Sequence, residues 1–322
     1  MRRLCPNEVT YGASISACAR GSNWISALEL LSGLQVALLQ VNVVTISAAL
    51  TACEKASRWQ PAMSLLELMA RKKINADRIS FSSAISTCEK CGNWELAVGM
   101  FRAMRLDLHH PDAVSFNAAI SACAAGSQWR LALDLLGAMP GEDVTPDIIS
   151  FSAAVTACDR CDKWAASLSL LSRIFGSRLV PDTVLFNSVL HCLESPAQWR
   201  IALSLLRDMP SRSVLANEMS YRSVMGACQD WKLAVELWGE MSVASEPSAI
   251  SASTAVLVCA RQGAWRVALV ILQDMLSLGF PDGPSAFSGL IEACDRDGRW
   301  AAAARLLDDW AGPVALLCRD RI

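Results

Sequence analysis

The residues best equipped for chemistry are the cysteines, 13 in number, and three histidines. Two segments, Cys88-x-x-Cys91 and Cys158-x-x-Cys161, have the spacing of half a tetrahedral zinc site. The same spacing serves thiol–disulfide exchange when it lies next to a βαβ unit. Zinc binding and redox chemistry are therefore the two possibilities to weigh.

The positions of the cysteines argue against both. One cysteine recurs every 35 residues, at Cys18, Cys53, Cys88, Cys123 and Cys158. A zinc site needs both pairs to converge, yet the second pair follows the first by 70 residues, which is two full periods. The odd total, the chain length and the lack of a secretory signal disfavour a disulfide scaffold. We predict that the recurring cysteine is a small buried hydrophobe, and that the protein holds neither metal nor cofactor.

Catalysis is not expected either. No histidine, neither His109 and His110 nor His191, is placed with a nucleophile and a carboxylate. The sequence has no phosphate loop, no glycine-rich nucleotide fingerprint and no His-x-Glu with Cys-x-x-Cys deaminase signature. We therefore predict no catalytic residues and no enzyme activity.

Tryptophan follows the same period as cysteine. It recurs every 35 residues from Trp24 to Trp199, and then at Trp231, Trp265 and Trp300. Fixed self-similarity of this length indicates a repeat protein. We divide the chain into a lead (1–7), one array (8–318) and a tail (319–322), with nine repeats at 8–42, 43–77, 78–112, 113–147, 148–182, 183–217, 218–248 (shortened), 249–283 and 284–318.

Each repeat contains two apolar stripes of helical period. The first has positions i, i+3, i+4 and i+7, as in Phe81, Ala84, Ile85 and Cys88; the second begins at the tryptophan. Breakers such as Gly92-Asn93 separate the two helices. A single hairpin cannot bury both stripes, so neighbouring hairpins must stack. The sequence therefore predicts an all-α fold, a right-handed α-solenoid superhelix of about nine αα-hairpin repeats.

Composition limits the function. The chain has 31 acidic and 29 basic residues and a net charge of −2, which excludes unspecific nucleic-acid binding through a broad cationic surface. Hydrophobic residues make up 53% and charged residues 19%, so the chain is not disordered. The mean hydropathy is +0.31, but no stretch approaches the ~20 apolar residues of a membrane helix. A membrane is therefore not an expected partner.

The repeat resembles that of the pentatricopeptide-repeat family, as a P-type array without an appended deaminase-like domain. The matching elements are the Val-(Ser/Thr)-aromatic-(Asn/Ser) opening, the Ala-Leu-x-Leu-Leu core and the terminal Pro-Asp, as in Pro146-Asp147. The resemblance extends over residues 8–318. It implies binding of single-stranded RNA, one base per repeat, read by two or three side chains.

In that family the fifth and last residues of a repeat read the base, and an aliphatic second residue packs against it. Carried over to this sequence, the base-reading pairs are Gly12/Asn42, Ser47/Asp77, Ser82/Asp112, Asn117/Asp147, Ser152/Asp182 and Asn187/Asn217. The base-packing residues are Val9, Val44, Ile79, Val114, Ile149 and Val184, with Met219 and Ile250 in the same place and Ser285 as the exception.

The chemistry of these pairs suits different bases. A carboxylate only accepts hydrogen bonds, so Asp fits the N–H of guanine or uracil, whereas Asn supplies donors that fit cytosine. A short Ser at the fifth place leaves room for a purine, and the longer Asn favours a pyrimidine. By the family's code, repeats two to six would read G-G-U-G-C in the 5′ to 3′ direction. The Asp residues also stand directly before a helix, where they could be helix caps alone.

The last three repeats fit the code poorly. The pair Arg222/Ser248 lies in the shortened repeat, Asp282 comes one place early, and the ninth repeat ends at Cys318. Either these repeats cap the array or they do not follow the code, and we favour capping.

A row of basic residues recurs at the thirteenth place. These residues are candidates for phosphate contacts: Arg20, Lys55, Lys90, Arg160, Arg261 and Arg296. The alternative is that they only complement the dipole at the end of the first helix. The tryptophans could likewise stack on bases, but their apolar helical spacing favours core packing.

We expect the protein to act by steric or adaptor effects on RNA. The resemblance implies a role in RNA processing, stability, editing or translation in a plastid or mitochondrion, with a processing or editing enzyme as a further partner. No transit peptide is visible in this chain. The competing hypothesis is a protein-binding scaffold, because stacked hairpins also present surfaces to peptides.

Overall fold

The structure is a computed structural model that describes residues 7–37, 39–107, 109–177, 179–195, 198–244 and 248–277, together with residue 291. The ninth repeat apart from that residue, including Ser285, Arg296 and Cys318, lies outside this part of the chain. The described residues form 16 α-helices, two short 3₁₀ turns and no strand. None of these helices is both long and apolar enough to cross a bilayer.

The helices alternate between two types, which we call first and second helices. The first helices are α1 (Glu8–Arg20), α3 (Val43–Lys55), α5 (Arg78–Lys90), α7 (Ala113–Ala125), α9 (Ile148–Asp159), α11 (Thr183–Cys192), α13 (Glu218–Ala227) and α15 (Ala249–Arg261). The second helices all begin at a register tryptophan: α2 (Trp24–Val36), α4 (Trp59–Arg71), α6 (Trp94–Leu106), α8 (Trp129–Ala138), α10 (Trp164–Gly176), α12 (Trp199–Asp208), α14 (Trp231–Ala244) and α16 (Trp265–Ser277). The 3₁₀ turns Met139–Glu142 and Pro210–Arg212 follow α8 and α12.

Every first helix begins with a side-chain cap. The capping residue has an extended backbone, and its side-chain oxygen accepts the N–H of the third helical residue. From α3 onwards this cap is the last residue of the preceding repeat: Asn42, Asp77, Asp112, Asp147, Asp182, Asn217 and Ser248. The last residue of each of these repeats therefore caps the first helix of the next repeat.

A left-handed residue closes most hairpins. The fifteenth residue of the repeat has a positive φ in six hairpins, as at Ser57 (52°) and Gly92 (72°). This conformation reverses the chain within three or four residues and brings the two helices side by side.

The core is built from the apolar stripes that the sequence predicts. The fourth, seventh, eighth and eleventh residues are buried in repeats two to six and in repeat eight, as with Phe116, Ala119, Ile120 and Cys123, all fully inaccessible. A buried cluster runs from Ile15 to Met69 without a break between the first two hairpins. Burying a Leu or Ile side chain contributes about 1.5–3 kcal/mol, so this shared core is what holds neighbouring repeats together.

The chain forms two compact units that divide between Val180 and Pro181. In the first unit, α1, α3, α5, α7 and α9 pack in succession, and the second helices α2, α4, α6 and α8 each fill the space between two of them. In the second unit, α11, α13 and α15 pack in the same succession, with α12 and α14 behind them. The fold is an all-α solenoid of two-helix repeats.

Candidate nucleic-acid interface

One aliphatic side chain per repeat is exposed in the first turn of the first helix. These second-place residues are 50 to 75% exposed: Val9, Val44, Ile79, Val114, Ile149, Val184, Met219 and Ile250. A single exposed valine needs no explanation, but exposure at the same place in eight described repeats is a recurring pattern. Such a pattern marks a candidate binding surface.

The fifth-place residues lie on the same face, three residues further along each helix. Ser82, Asn117 and Ser152 are half-buried, while Ser47 and Asn187 are 7% exposed. The first repeat has Gly12 here and thus no side chain to offer.

Three of the predicted base-reading pairs are joined by direct hydrogen bonds. Ser47 Oγ donates to Asp77 Oδ1 at 3.3 Å, and Asn117 Nδ2 donates to Asp147 Oδ1 at 3.2 Å. Asn187 Nδ2 donates to Asn217 Oδ1 at 3.1 Å. The structure thus brings together residues 30 positions apart in three of the predicted pairs.

The other pairs differ. Ser82 Oγ donates to the carbonyl oxygen of Ile79 in its own helix at 3.1 Å, and Asp112 Oδ2 faces Arg78 Nε at 3.6 Å. Ser152 belongs to the first compact unit and Asp182 caps α11 in the second. In the shortened repeat, Ser248 Oγ donates to Glu218 Oε1, so Arg222 does not pair with the last residue there.

Capping determines which atoms of the last residue remain available. Asp147 uses Oδ1 to accept the backbone N–H of Ser150 at 2.8 Å, and Asp77 and Asp112 use Oδ1 in the same way. Asn217 must also present its oxygen to the helix, where Ser220 N–H donates at 3.1 Å. An aspartate therefore keeps an acceptor, Oδ2, away from the cap, whereas Asn217 keeps its NH₂ donor there. The helix cap therefore leaves one polar atom of the last residue for a further partner.

A third group of residues, which the sequence analysis did not single out, completes the hydrogen-bond network. The third helical residue is a buried hydroxyl residue in most repeats: Thr45, Ser80, Ser115, Ser150, Ser220 and Ser251. Ser150 Oγ donates to Asn117 Oδ1 at 2.6 Å, and Ser220 Oγ donates to Asn187 Oδ1 at 2.6 Å. The available signal was the recurrence of Ser or Thr at this place, interrupted only by Leu185 among the described repeats that follow the first.

The network keeps the central carboxylate ionised. Burial would raise the pKa of Asp147, but hydrogen bonds from Ser150, Asn117 and the backbone of Ile149 outweigh it and hold the pKa below the usual value of 3.8. At neutral pH Asp147 is an anion and accepts hydrogen bonds only.

A cavity of about 460 Å³ opens between the first turns of α7 and α9. Val114 and Ile149 line it together with Asn117 and Ser152. It combines two aliphatic walls with polar side chains, the usual make-up of a pocket for a flat, partly polar ligand.

The thirteenth-place basic residues differ in their surroundings. Lys90 Nζ pairs with Glu54 Oε1 at 3.1 Å, and Arg160 Nη1 donates to the carbonyl oxygen of Ala125 at 3.3 Å, at the end of α7. Arg20, Lys55 and Arg261 are exposed, and none of the three forms an ion pair with another described residue. Arg296 lies outside the described residues.

Three of the register tryptophans, Trp24, Trp94 and Trp129, pack beneath the turn of the following repeat. Trp94 lies under the turn at Gly126, where an added Cβ would lie 2.2 Å from Trp94 Cδ1. Arg58 and Lys163 from following turns stand over the rings of Trp24 and Trp129 at 5.6 and 6.0 Å. These contacts support the packing interpretation over base stacking.

The cysteines have structural environments. The ten described cysteines form no disulfide with one another, and burial raises the pKa of Cys53, Cys88, Cys123, Cys228 and Cys259 to about 11. Cys91 and Cys161 each donate to a carbonyl oxygen of the preceding turn, at 3.1 Å. Within the described part of the chain, no three potential ligands come together to hold a metal ion.

Comparison with known proteins is consistent with this architecture. Two family models match the sequence, a pentatricopeptide repeat domain at residues 29–93 and a pentatricopeptide repeat at residues 114–144. No curated protein sequence matches significantly. The helical scaffold is similar to the crystal structure of the pentatricopeptide repeat protein PPR10 from maize, with 20% identity over 96% of this chain and a TM-score of 0.59. The chain spans about half of PPR10, since the match covers 50% of that protein.

Two solved complexes also match at lower structural similarity. One is PPR10 with an 18-nt psaJ RNA element, at 20% identity and a TM-score of 0.48, covering 97% of this chain and 50% of that one. The other is the repeat domain of Arabidopsis thaliana protein-only RNase P 1 with tRNA, at 14% identity and a TM-score of 0.49. That match covers 59% of this chain and 95% of the other chain. The chain therefore contains pentatricopeptide repeats at residues 29–93 and 114–144, and its two-helix architecture is that of a pentatricopeptide-repeat α-solenoid.

Proposed function

We propose that this protein binds single-stranded RNA with one nucleotide per repeat. The observation that carries the proposal is an exposed aliphatic residue at the second place of every described first helix, accompanied in repeats two, four and six by a hydrogen-bonded polar pair. A nucleobase needs both an apolar surface for its face and matched polar atoms for its edge.

The cavity between α7 and α9 illustrates the proposed base site. A base inserted between Val114 and Ile149 would cover two side chains that are each 60% exposed in the free protein. Its edge would meet Asn117 and Asp147 Oδ2, the carboxylate oxygen that does not cap α9. Burial of the aliphatic pair supplies affinity for any base, and the polar pair supplies the selection.

Capping gives a physical basis for the selection. An aspartate at the last place keeps an acceptor free, which suits N1–H of guanine or N3–H of uracil. Asn217 keeps a donor free, which suits N3 of cytosine. On this basis we propose that repeats two to six read G-G-U-G-C from 5′ to 3′, and that repeats seven to nine cap the array.

The biological role we propose is steric or architectural. A protein that holds a short single-stranded segment can protect an RNA end, keep a site unpaired or deliver a processing or editing enzyme. The pentatricopeptide repeats at residues 29–93 and 114–144 support action on organellar RNA, in a plastid or mitochondrion. A catalytic role for this chain is not part of the proposal.

Exchange of the last residue in repeat four tests the code. Fluorescence anisotropy would compare a ten-nucleotide RNA containing GGUGC with the same RNA containing GGCGC. The wild type should prefer the uracil RNA by about tenfold, and Asp147→Asn should reverse the order, because the free carboxylate oxygen becomes an NH₂ group. The fold should be retained, because Asn42 and Asn217 already cap helices in this chain.

The matched control removes a carboxylate from the same repeat without touching the pair. Asp143 is exposed and has a left-handed backbone that Asn tolerates, so Asp143→Asn should leave both affinities unchanged. Equal binding of single-stranded RNA, single-stranded DNA and double-stranded RNA, or no binding at all, would contradict the proposal and favour the protein-binding scaffold.

A further inference from the structure

We propose that the third-place serine of one repeat orients the fifth-place asparagine of the repeat before it, and thereby sets the base preference of that earlier repeat. Ser150 would act in this way on Asn117, and Ser220 on Asn187. This inference rests on the proposed RNA-binding function. It assigns a positioning role to residues that do not touch the RNA.

The same geometry occurs independently in the two compact units. Ser150 Oγ and Ser220 Oγ each donate to the asparagine Oδ1 at 2.6 Å across 33 residues of sequence. Both serines are fully buried. In both cases the asparagine Nδ2 donates to the last residue of its own repeat, at 3.2 and 3.1 Å. Each amide is therefore held at both ends.

Holding both ends removes a choice that asparagine otherwise has. A 180° turn of the amide exchanges a donor for an acceptor at almost no change in shape. In Asn117 that turn would set Oδ1 against the Asp147 carboxylate, which only accepts hydrogen bonds, and would lose the hydrogen bond that Ser150 Oγ donates to Oδ1. The fixed amide keeps its oxygen inside the network and can offer only its remaining N–H to a base. The base edge at this place must then present an acceptor.

The serine can do this without weakening the helix cap. Ser150 Oγ also lies 2.8 Å from Asp147 Oδ1, but its single proton serves one acceptor at a time. Asp147 Oδ1 is independently satisfied by the backbone N–H of Ser150, at 2.8 Å. The hydroxyl proton is therefore available for Asn117, the closer of its two acceptors.

Repeat three provides an internal contrast. Ser115 is buried at the same third place, and its Oγ donates to the cap Asp112 Oδ1 at 2.8 Å. The fifth-place residue before it, Ser82, instead donates to its own helix at Ile79. Ser115 thus has the capping environment of Ser150 without the contact to the fifth residue.

The test measures base preference at single nucleotides. Four ten-nucleotide RNAs that differ only at the third base of the GGUGC core would be titrated against the wild type and Ser150→Ala. We expect the wild-type preference for uracil to fall about fivefold in Ser150→Ala, because the freed amide can turn its oxygen to the base. Preferences at the other four core nucleotides, measured with equivalent RNAs, should stay unchanged.

Three further variants separate orientation from stability. Ser150→Thr should restore the preference, since Thr45 occupies this place in repeat two. Ser150→Cys keeps the size but has only a weak donor, so it should behave like Ser150→Ala even if alanine disturbs the fold. Ser115→Ala removes the matched hydroxyl, and it should leave the preference at the second core nucleotide within twofold of the wild type. Thermal unfolding of each variant reports any loss of structure.

Two outcomes would overturn the inference while leaving the proposed function intact. One is an unchanged uracil preference in both Ser150→Ala and Ser150→Cys. The other is an equal loss of preference in Ser150→Ala and Ser115→Ala at their respective nucleotides, which would trace the effect to the cap. A wild-type protein that binds RNA with no base preference would refute the one-base-per-repeat reading, and this inference with it.

Discussion

At the scale of single residues, the proposed function gives the last residue of a repeat two tasks, capping a helix and reading a base, that use different atoms. Asp147 starts α9 with one carboxylate oxygen and leaves the other beside Asn117 at 3.4 Å. A role as helix cap therefore does not exclude base reading by these aspartates, because a cap occupies only one of the two carboxylate oxygens. The same reasoning gives Asn217 the opposite polarity, since its single oxygen is taken by the helix.

The lowered pKa of Asp147 predicts how stability depends on pH. The charged form is favoured in the folded state, so its contribution is complete above the unfolded value of 3.8 and is lost as the pH falls through the lower folded pKa. We expect Asp147→Asn to be less stable by about 0.5–1 kcal/mol near pH 7, because it loses charge-assisted hydrogen bonds.

Thermal unfolding of the wild type and Asp147→Asn between pH 2.5 and 7 checks this. The gap between the two midpoints should be constant above about pH 5 and should close below the ordinary carboxyl range. A gap that is the same at pH 3 and pH 7 would show that the ionised carboxylate contributes nothing to stability.

At the scale of elements, the turn of one repeat packs closely on the tryptophan of the repeat before it. Among the described glycines, Gly126 in such a turn leaves the least room for an added Cβ. Gly126 ends α7, and its backbone φ of −85° would suit any residue. The requirement for glycine here is space, since Cδ1 and Cγ of Trp94 would lie 2.2 and 2.3 Å from an added Cβ. Both atoms are close to the tryptophan backbone and cannot swing away.

Two alanine substitutions separate the effect of space from that of helix propensity. Gly126→Ala should destabilise the protein by about 1–3 kcal/mol, because the ring or the turn must move. Gly99 lies inside α6 with nothing within 4 Å of an added Cβ, so Gly99→Ala should stabilise it by about 0.5–1 kcal/mol. Chemical denaturation of both variants measures the two changes, and equal effects of the same sign would contradict the assigned contact.

At the scale of the whole molecule, the net charge of −2 leaves RNA affinity to local placement of cations. The thirteenth-place residues fall into two groups. Lys90 and Arg160 are engaged with Glu54 and with the end of α7, whereas Lys55 is exposed and has no ion pair within the described residues. Only the second kind is ready to meet a phosphate without first giving up a partner.

The salt dependence of RNA binding distinguishes the two groups. For a single-stranded ligand each phosphate contact contributes about 0.7 to the slope of log Kd against log salt. We expect Lys55→Gln to lower the slope by about 0.7, and Lys90→Gln to lower it by less, because Lys90 is already neutralised by Glu54. The measurement is a titration series from 50 to 300 mM salt. If neither slope changes, the basic row only complements the helix dipoles.

The sequence by itself determined the fold class, the hairpin boundaries and the face on which the second- and fifth-place residues lie. Those features depend on a period of 35 and on helical spacing within one repeat, which are local properties that residues such as Trp94 and Cys88 display directly. The N-cap role of Asp147 was also evident, because a cap depends on residues three positions apart.

Only the tertiary structure decided which of these residues bond to one another. Ser150 meets Asn117 across 33 residues and Lys90 meets Glu54 across 36. Ser47 and Ser82 both donate to a carbonyl oxygen of their own helix, but only Ser47 also reaches the last residue of its repeat. Such contacts depend on differences of an ångström in how neighbouring first helices stack, and stacking reflects the side chains of two repeats together. Within one repeat, the sequence contains no information about that distance.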